Sequence, residues 1–484
     1  MSLSKLKPEI LWSHFEKFLQ IPHTSGNEEG MARYMLNFAE EKGFEAEKDE
    51  TGNVVIRVPA TKGRENAPTV VLQGHMDMVG EKNSDVEHDF MKDPIQAEIK
   101  DDWVTARGTT LGADNGIGLA ASLAAAEADD VVHGPLEILA TVDEEVGLTG
   151  AGKIKEGFLS GKVMLNLDSE QLGEVTIGCA GGGDSTMTLP LDVVDAPAGT
   201  KPFTLKVTGL RGGHSGLDIV EQRGNAIKIL ARLLGKMAGD QPVHLVSMKG
   251  GSKRNAIPRE AFAEVMVLET AVDDVKAFIE GEIERIGVEL GGREKELAAA
   301  LEPSDNGGSK VMNDDTQGTL VDLLLALPHG VEAMNYDIDG LVETSNNLAT
   351  IDTESGEAVI GTSTRSSIST ALQALRDRIS ACGRLAGASV KENDPYPGWM
   401  PNVDSKVLAT FKKVHKDVLG EEPETIAIHA GLECGIIGEK FPGMDMISFG
   451  PTMENPHSPD ERVNVPSVEK FWTLLGAMLE ELAG

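Results

Sequence analysis

The chain has 484 residues and carries 44 Lys+Arg against 78 Asp+Glu, a formal net charge of -34. That surplus argues against nucleic acid and anionic membranes as partners, while the length asks for two domains and a hydrophobic content of 40% suffices to build their cores. Cys179, Cys382 and Cys434 are widely spaced and lack any C-x-x-C, which argues against a disulfide scaffold and a thiolate zinc site; with no apolar leader and no run of about 18 apolar residues, the reading is a cytoplasmic protein.

Residues 8–20 read as an amphipathic helix with Ile10, Leu11, Phe15, Phe18 and Leu19 on one face. A second helix follows Ser25, which has Glu28 three residues on as a capping box, and ends near Gly43. Gly52-Asn53 then turns the chain into a strand over 54–58. Further strands are expected at 70–72, 136–142 and 163–167, and a glycine-rich loop at 108–118 runs into a helix over 119–126. This alternation, continuing to about residue 183, implies an α/β layer architecture. At Gly181-Gly182-Gly183 the texture changes. Strands are expected at 186–191, 203–208 and 261–268, and helices at 224–234 and 272–286. A second set follows at 320–327, 348–352 and 358–363, with a helix over 370–381. Residues 393–398 look like a return linker, and the last 18 residues like a helix capped by Ser467. The economical organisation is one domain, 1–183 plus 395–484, interrupted by an inserted α+β domain over 184–394, with Gly181–Gly183 and Pro395–Gly398 as hinges.

Four of the expected strands run into metal-ligand residue types. Residues 70–72 precede His75-Met76-Asp77, residues 136–142 precede Asp143-Glu144-Glu145, residues 163–167 precede Asp168, and an apolar run at 446–449 comes shortly before His457. Short apolar runs bounded by turns read as buried strands of a largely parallel sheet, and such sheets bind ligands beyond the carboxyl ends of their strands. Asp114 lies within the glycine-rich loop, where taken alone it reads as a helix N-cap. Together these positions offer two His and at least three carboxylates, with one carboxylate free to bridge. That is the donor stoichiometry of a two-metal hydrolytic site with ions about 3.5–4 Å apart. The absence of Cys suits Zn, with Mn or Co as alternatives.

The ordered set His75-x-Asp77, Gly112-Ala113-Asp114-Asn115-Gly116, Glu144-Glu145, Asp168 and His457, with Gly212-Gly213-His214-Ser215-Gly216 in the insert, resembles the M20 metallopeptidases over nearly the whole chain. Asn166–Glu170, Arg254–Pro258 and His429–Gly435 are similar to the members that cleave Xaa-His dipeptides. The resemblance implies a zinc-peptidase-like catalytic domain under a lid formed by the insert. It implies two divalent ions, one held by His75 and Asp168, the other by Glu145 and His457, with Asp114 bridging. Asp77 would orient His75, Glu144 would be the general base for a metal-bridged water, and His214 would stabilise the oxyanion. Asn255 and Arg365 would bind the substrate carboxylate. The implied substrates are unblocked dipeptides, including Xaa-His such as carnosine; the alternative is an N-acyl amino acid deacylase or broader aminopeptidase. A homodimer is a family expectation. The long insert leaves open whether His214 serves its own site or a partner's.

Overall fold

The computed structural model describes residues 2–240, 243–305 and 309–484. It divides into two compact units: Met1–Cys179 with Trp399–Ala427 and Leu432–Gly484, and Ala180–Gly398 with Ile428–Gly431. The chain therefore passes between units four times, where a simple insertion over 184–394 requires two. The extra pair of crossings brackets residues 428–431.

The first unit is built on an eight-stranded sheet. Its order is Glu45–Lys48, Val54–Val58, Leu136–Thr141, Val70–His75, Val163–Asn166, Asp445–Ser448, Glu174–Cys179 and Glu424–Ile428. The four strands from Leu136–Thr141 to Asp445–Ser448 are parallel. Antiparallel pairings flank them on both sides. Val70–His75 and Leu136–Thr141 are buried along their whole length, as strands covered on both faces must be. Because the four central strands run the same way, the residues after His75, Thr141, Asn166 and Ser448 emerge at one edge of the sheet.

Helix Ala113–Glu127 is buried at every position from Asn115 to Ala125. Its Gly and Ala residues let large rings approach: a Cβ on Gly116 would stand 2.9 Å from the Phe15 ring. Phe15 belongs to helix Glu9–Phe18, which buries Leu11, Trp12, Phe15 and Phe18. Two expected caps are not made. Helix Glu29–Lys42 starts beyond the expected Ser25 capping box, and Ser25 donates instead to Asp77 Oδ2 at 2.7 Å. The last helix, Val465–Ala483, is capped by Asn464, whose side chain accepts from the Ser467 amide, with a proline in the first turn. Ser467 is thus the capped residue, because proline needs no partner for its missing N–H.

The second unit carries a nine-stranded sheet whose registered pairings are all antiparallel. Strand Thr200–Thr208 alternates, burying Phe203, Leu205 and Val207. Helix Ala226–Asp240 adds Ile227, Leu230, Leu234 and Met237 at three-to-four spacing to the same apolar cluster. Residues 320–327 fall mostly in helix Asp314–Ala326. Val243–Gly250 pairs with Val342–Asp352 through Lys249 with Asp352 and Gly250 with Ile351. Gly181–Gly183 do not interrupt the chain; they open strand Gly181–Pro190. They are glycines because neighbours press on them: a Cβ on Gly182 would lie 2.5 Å from the Tyr396 hydroxyl. Among the described residues, no helix is long and apolar enough to cross a membrane.

Candidate metal centre

His75 ends its strand with its side chain 1% exposed. Its Nδ1 is 3.0 Å from the Asp77 backbone carbonyl. A carbonyl can only accept, so that nitrogen carries a proton and Nε2 is the ligand-capable atom. Nε2 faces Asp114 Oδ1 at 3.1 Å and Asp168 Oδ1 at 3.4 Å. The Asp77 carboxylate accepts from the amides of Glu144 at 3.0 Å and Glu145 at 3.2 Å, with its Oδ1 3.4 Å from His75 Nδ1. One buried carboxylate thus aligns both the imidazole and the turn that carries two further acids. That turn leaves the sheet through Asp143 at φ +56°, in the left-handed region that non-glycine residues enter rarely outside strained functional turns.

Asp114 is not spent as a helix cap. It makes no capping bond, and it and Asn115 lie outside helical φ/ψ although the element nominally begins at Ala113. The Asn115 side chain donates to the Leu167 carbonyl at 2.7 Å. Gly118 lets the helix close in on that same carbonyl, where a Cβ would lie 2.4 Å away. The loop is thereby tied to the strand end that delivers Asp168. The other Asp114 oxygen, Oδ2, stands 3.2 Å from His457 Nε2, which also faces Glu145 Oε2 at 2.9 Å. His457, too, is left-handed, at φ +59°.

The structure therefore brings His75, Asp77, Asp114, Glu144, Glu145, Asp168 and His457 into one cluster. Three overlapping donor sets, His75/Asp114/Asp168, His75/Glu144/Glu145 and Asp114/Glu145/His457, each have ligand atoms within 4.8 Å of one another. Glu145 Oε1 is buried without a hydrogen-bond partner, and Asp168 Oδ1, also buried, has only His75 Nε2 at 3.4 Å before it, a costly condition unless something positive faces them. The electrostatics agree. Burial, reinforced by Asp114 and Glu433, pushes the Asp168 carboxyl up to about 8. Burial and neighbouring acids raise Glu144 well above the carboxylate range. Contacts to Asp114 and Glu145 hold the His457 proton up to about 11. Acids that retain protons beside histidines that will not release theirs make a cluster demanding positive charge. N/O donors without thiolate fit Zn, Mn or Co in that role.

The remaining candidates lie in the second unit. His214 forms a two-residue strand with Gly213, paired to Ala256–Ile257. Its Nδ1 accepts from the amides of Gly216 at 3.2 Å and Leu217 at 3.1 Å, so a neutral ring carries its proton on Nε2. Burial and the Arg365 charge both favour that neutral form. Arg365 is 8% exposed, not the solvated strand-end charge its position in the sequence allowed. Nη1 donates to the Tyr396 hydroxyl at 3.2 Å, Nε is buried without a partner, and among the described residues no carboxylate pairs with it. The Asn255 side chain is exposed, and its backbone carbonyl accepts from the Ser215 amide at 2.8 Å.

A model of peptidase family M20/M25/M40 matches residues 71–481. The chain belongs to this family. It is 44% identical over 480 residues to the cytosol non-specific dipeptidase of Escherichia coli (strain K12), covering 99% of each chain. It superposes on the crystal structure of aminoacylhistidine dipeptidase from Vibrio alginolyticus with a TM-score of 0.92 at 44% identity, covering 99% of this chain and 98% of that one. Aminopeptidase PepT from Bacillus cereus, at 18% identity and a TM-score of 0.58, shares the fold over 99% of this chain and 100% of its own.

Several buried polar residues stand around the cluster without a role assigned from the sequence, Glu433 among them although it lies within the His429–Gly435 motif. Glu433 is fully buried, and its Oε2 accepts from Gln73 Nε2 and Thr141 Oγ1, both at 2.6 Å. Gln73 in turn accepts from Asn166 at 2.5 Å. One carboxylate thus ties together the ends of three strands that run into the cluster. A glutamine inside the run Val70-Val71-Leu72-Gln73 was the available signal. Glu461 accepts four backbone N–H bonds from residues 111–114, and nothing in its local sequence marks it as buried.

Proposed function

We propose that this M20 protein is a dinuclear metal-dependent dipeptidase that hydrolyses unblocked dipeptides, Xaa-His among them. One observation carries the reading: Asp114 turns one carboxylate oxygen to the His75 set and the other to the His457 set, with the Glu144 side chain in a donor set with His75 and Glu145. His75 and Asp168 would hold one ion and Glu145 and His457 the other, zinc by preference with manganese or cobalt as substitutes. The substrate class is supported by the two dipeptidases to which the chain is 44% identical, and a cytosolic location by the name of one of them.

Two ions at such a site supply Lewis-acid polarisation of the scissile carbonyl and make water nucleophilic at neutral pH. The protein's residues do the rest. Glu144, whose carboxyl burial and neighbouring acids hold above the ordinary carboxylate range, accepts the proton of the attacking water and delivers it to the leaving amine. Asp77 fixes the backbone under Glu144. His214, neutral and protonated on Nε2, donates to the developing oxyanion. Arg365, which donates to the Tyr396 hydroxyl, would take the substrate carboxylate, with Asn255 beside the His214 strand pair.

The test is histidine release from a Xaa-His dipeptide by metal-stripped, metal-restored and Glu144→Ala protein. Activity should return with zinc, manganese or cobalt, and should fall by about 10²–10⁴ in the metal-loaded variant. Wild type that binds metal but leaves dipeptides intact while cleaving N-acyl amino acids would replace this reading with a deacylase.

A further inference from the structure

We infer that Glu461 is the positioning residue that holds the Asp114 carboxylate between the two ligand sets; the inference rests on the two-metal reading above. Its side chain accepts from the amides of Leu111 at 2.6 Å, Gly112 at 3.0 Å, Ala113 at 2.8 Å and Asp114 at 3.3 Å. These are the consecutive amides leading into Asp114, and the residue is 2% exposed. A helix start normally leaves its first amides to a capping side chain or water. Here no capping side chain serves them, and Leu111, Gly112 and Ala113 are buried. One carboxylate from a distant part of the chain satisfies the whole turn.

The clamp has a rigid base. The Glu461 carbonyl accepts from Thr105 Oγ1 at 3.1 Å, and its amide donates to the Ser458 carbonyl at 3.0 Å. The next residue, Arg462, is paired with Thr105 in an antiparallel ladder, and its guanidinium lies 4.4 Å over the Trp103 ring. Glu461 also follows His457 by four residues in the same loop. A single loop therefore brings the histidine of one ligand set and grips the backbone of the carboxylate shared by both. Glu461 belongs to none of the donor sets, so its effect on the ions passes through Asp114. Outer partners of this kind change metal affinity about 10–100-fold when removed.

Glu461→Gln keeps the size of the side chain but places an NH2 against two backbone donors. The experiment loads full-length wild type, Glu461→Gln and the exposed-loop control Asp460→Asn with two equivalents of Mn(II). It then records electron paramagnetic resonance, metal affinity by chelator competition, and far-UV circular dichroism. A carboxylate bridge should give exchange-coupled Mn(II) in wild type and in Asp460→Asn. Folded Glu461→Gln should lose at least half of the coupled signal to uncoupled six-line Mn(II), and its weaker ion should bind about tenfold less tightly. A variant as coupled as wild type, with both affinities within twofold, overturns the role of Glu461. Wild type that binds one ion, or two without coupling, overturns the two-metal reading instead. If Glu461→Gln does not fold, Glu461→Asp, too short to reach all four amides, is judged by the same criteria. If neither folds, Glu461 determines the fold and the inference fails.

Discussion

Replacing Asp77 tests whether the acids of this cluster are organised as their hydrogen bonds indicate. In Asp77→Ala the amides of Glu144 and Glu145 and the Ser25 hydroxyl lose their acceptor at once, and His75 loses the carboxylate beside Nδ1. A buried donor left unpaired costs about 1–3 kcal/mol. Residues 25, 144 and 145 are half-buried, so water relieves part of the loss and the low end applies, about 3 kcal/mol for the three. Asp77→Asn retains one acceptor oxygen and should cost about 1–2 kcal/mol. Loss of the carboxylate that supports His75 should weaken the nearer ion about 10–100-fold in either variant. Dipeptide turnover should fall further than metal loss explains, because the backbone under Glu144 is released as well. Denaturant melts, chelator competition and kcat at saturating metal measure these three effects separately. Asp77→Asn with wild-type metal affinity and wild-type kcat would refute the argument that one carboxylate organises both imidazole and base.

Two further outcomes are expected. His214→Ala should lower kcat about 10²–10³-fold while leaving metal affinity unchanged; an equal loss in metal binding would show that the residue acts on the site's assembly rather than on the oxyanion. Burial and Lys228 hold the His329 pKa down to about 4. As pH falls below 6.5 the unfolded chain takes up the proton first, so stability is lost between about pH 6.5 and 4, by about 3 kcal/mol in total. Urea melts of chelator-treated protein at pH 7 and pH 4.5 should show a smaller acid loss in His329→Gln than in wild type, and identical losses would contradict the assignment.

Strand cores, the helix ended by Gly43 and the acids at strand ends were legible in the sequence because each is a local matter. A buried parallel strand must be apolar throughout, a left-handed helix end favours glycine, and a ligand set must occupy the turns that leave the sheet. At Gly181–Gly183 the change of texture was legible, and the division between the units falls at Cys179/Ala180, but that these glycines open a strand was not. Glycine signals conformational freedom and close approach with the same letter, and only the position of Tyr396 decides between them. Ser25 was read as a cap because its hydroxyl suits one, yet a partner 52 residues away takes the hydrogen bond.

By itself, then, the amino-acid sequence determined most of the secondary structure and the residue types available to hold positive charge, since these follow from periodicity and from the chemistry of single side chains, while the family rested on the resemblance of its ordered motifs. Only the tertiary structure decided that the two oxygens of Asp114 face different histidines, that the Asp77 carboxylate lies beside His75 and accepts from the Glu144 and Glu145 amides, and that Glu461 and Glu433 are buried carboxylates bonded to the loop before Asp114 and to the strand ends. Those relations join residues up to 360 positions apart, and a hydrogen bond is set by distance and direction in space, neither of which spacing along the chain records.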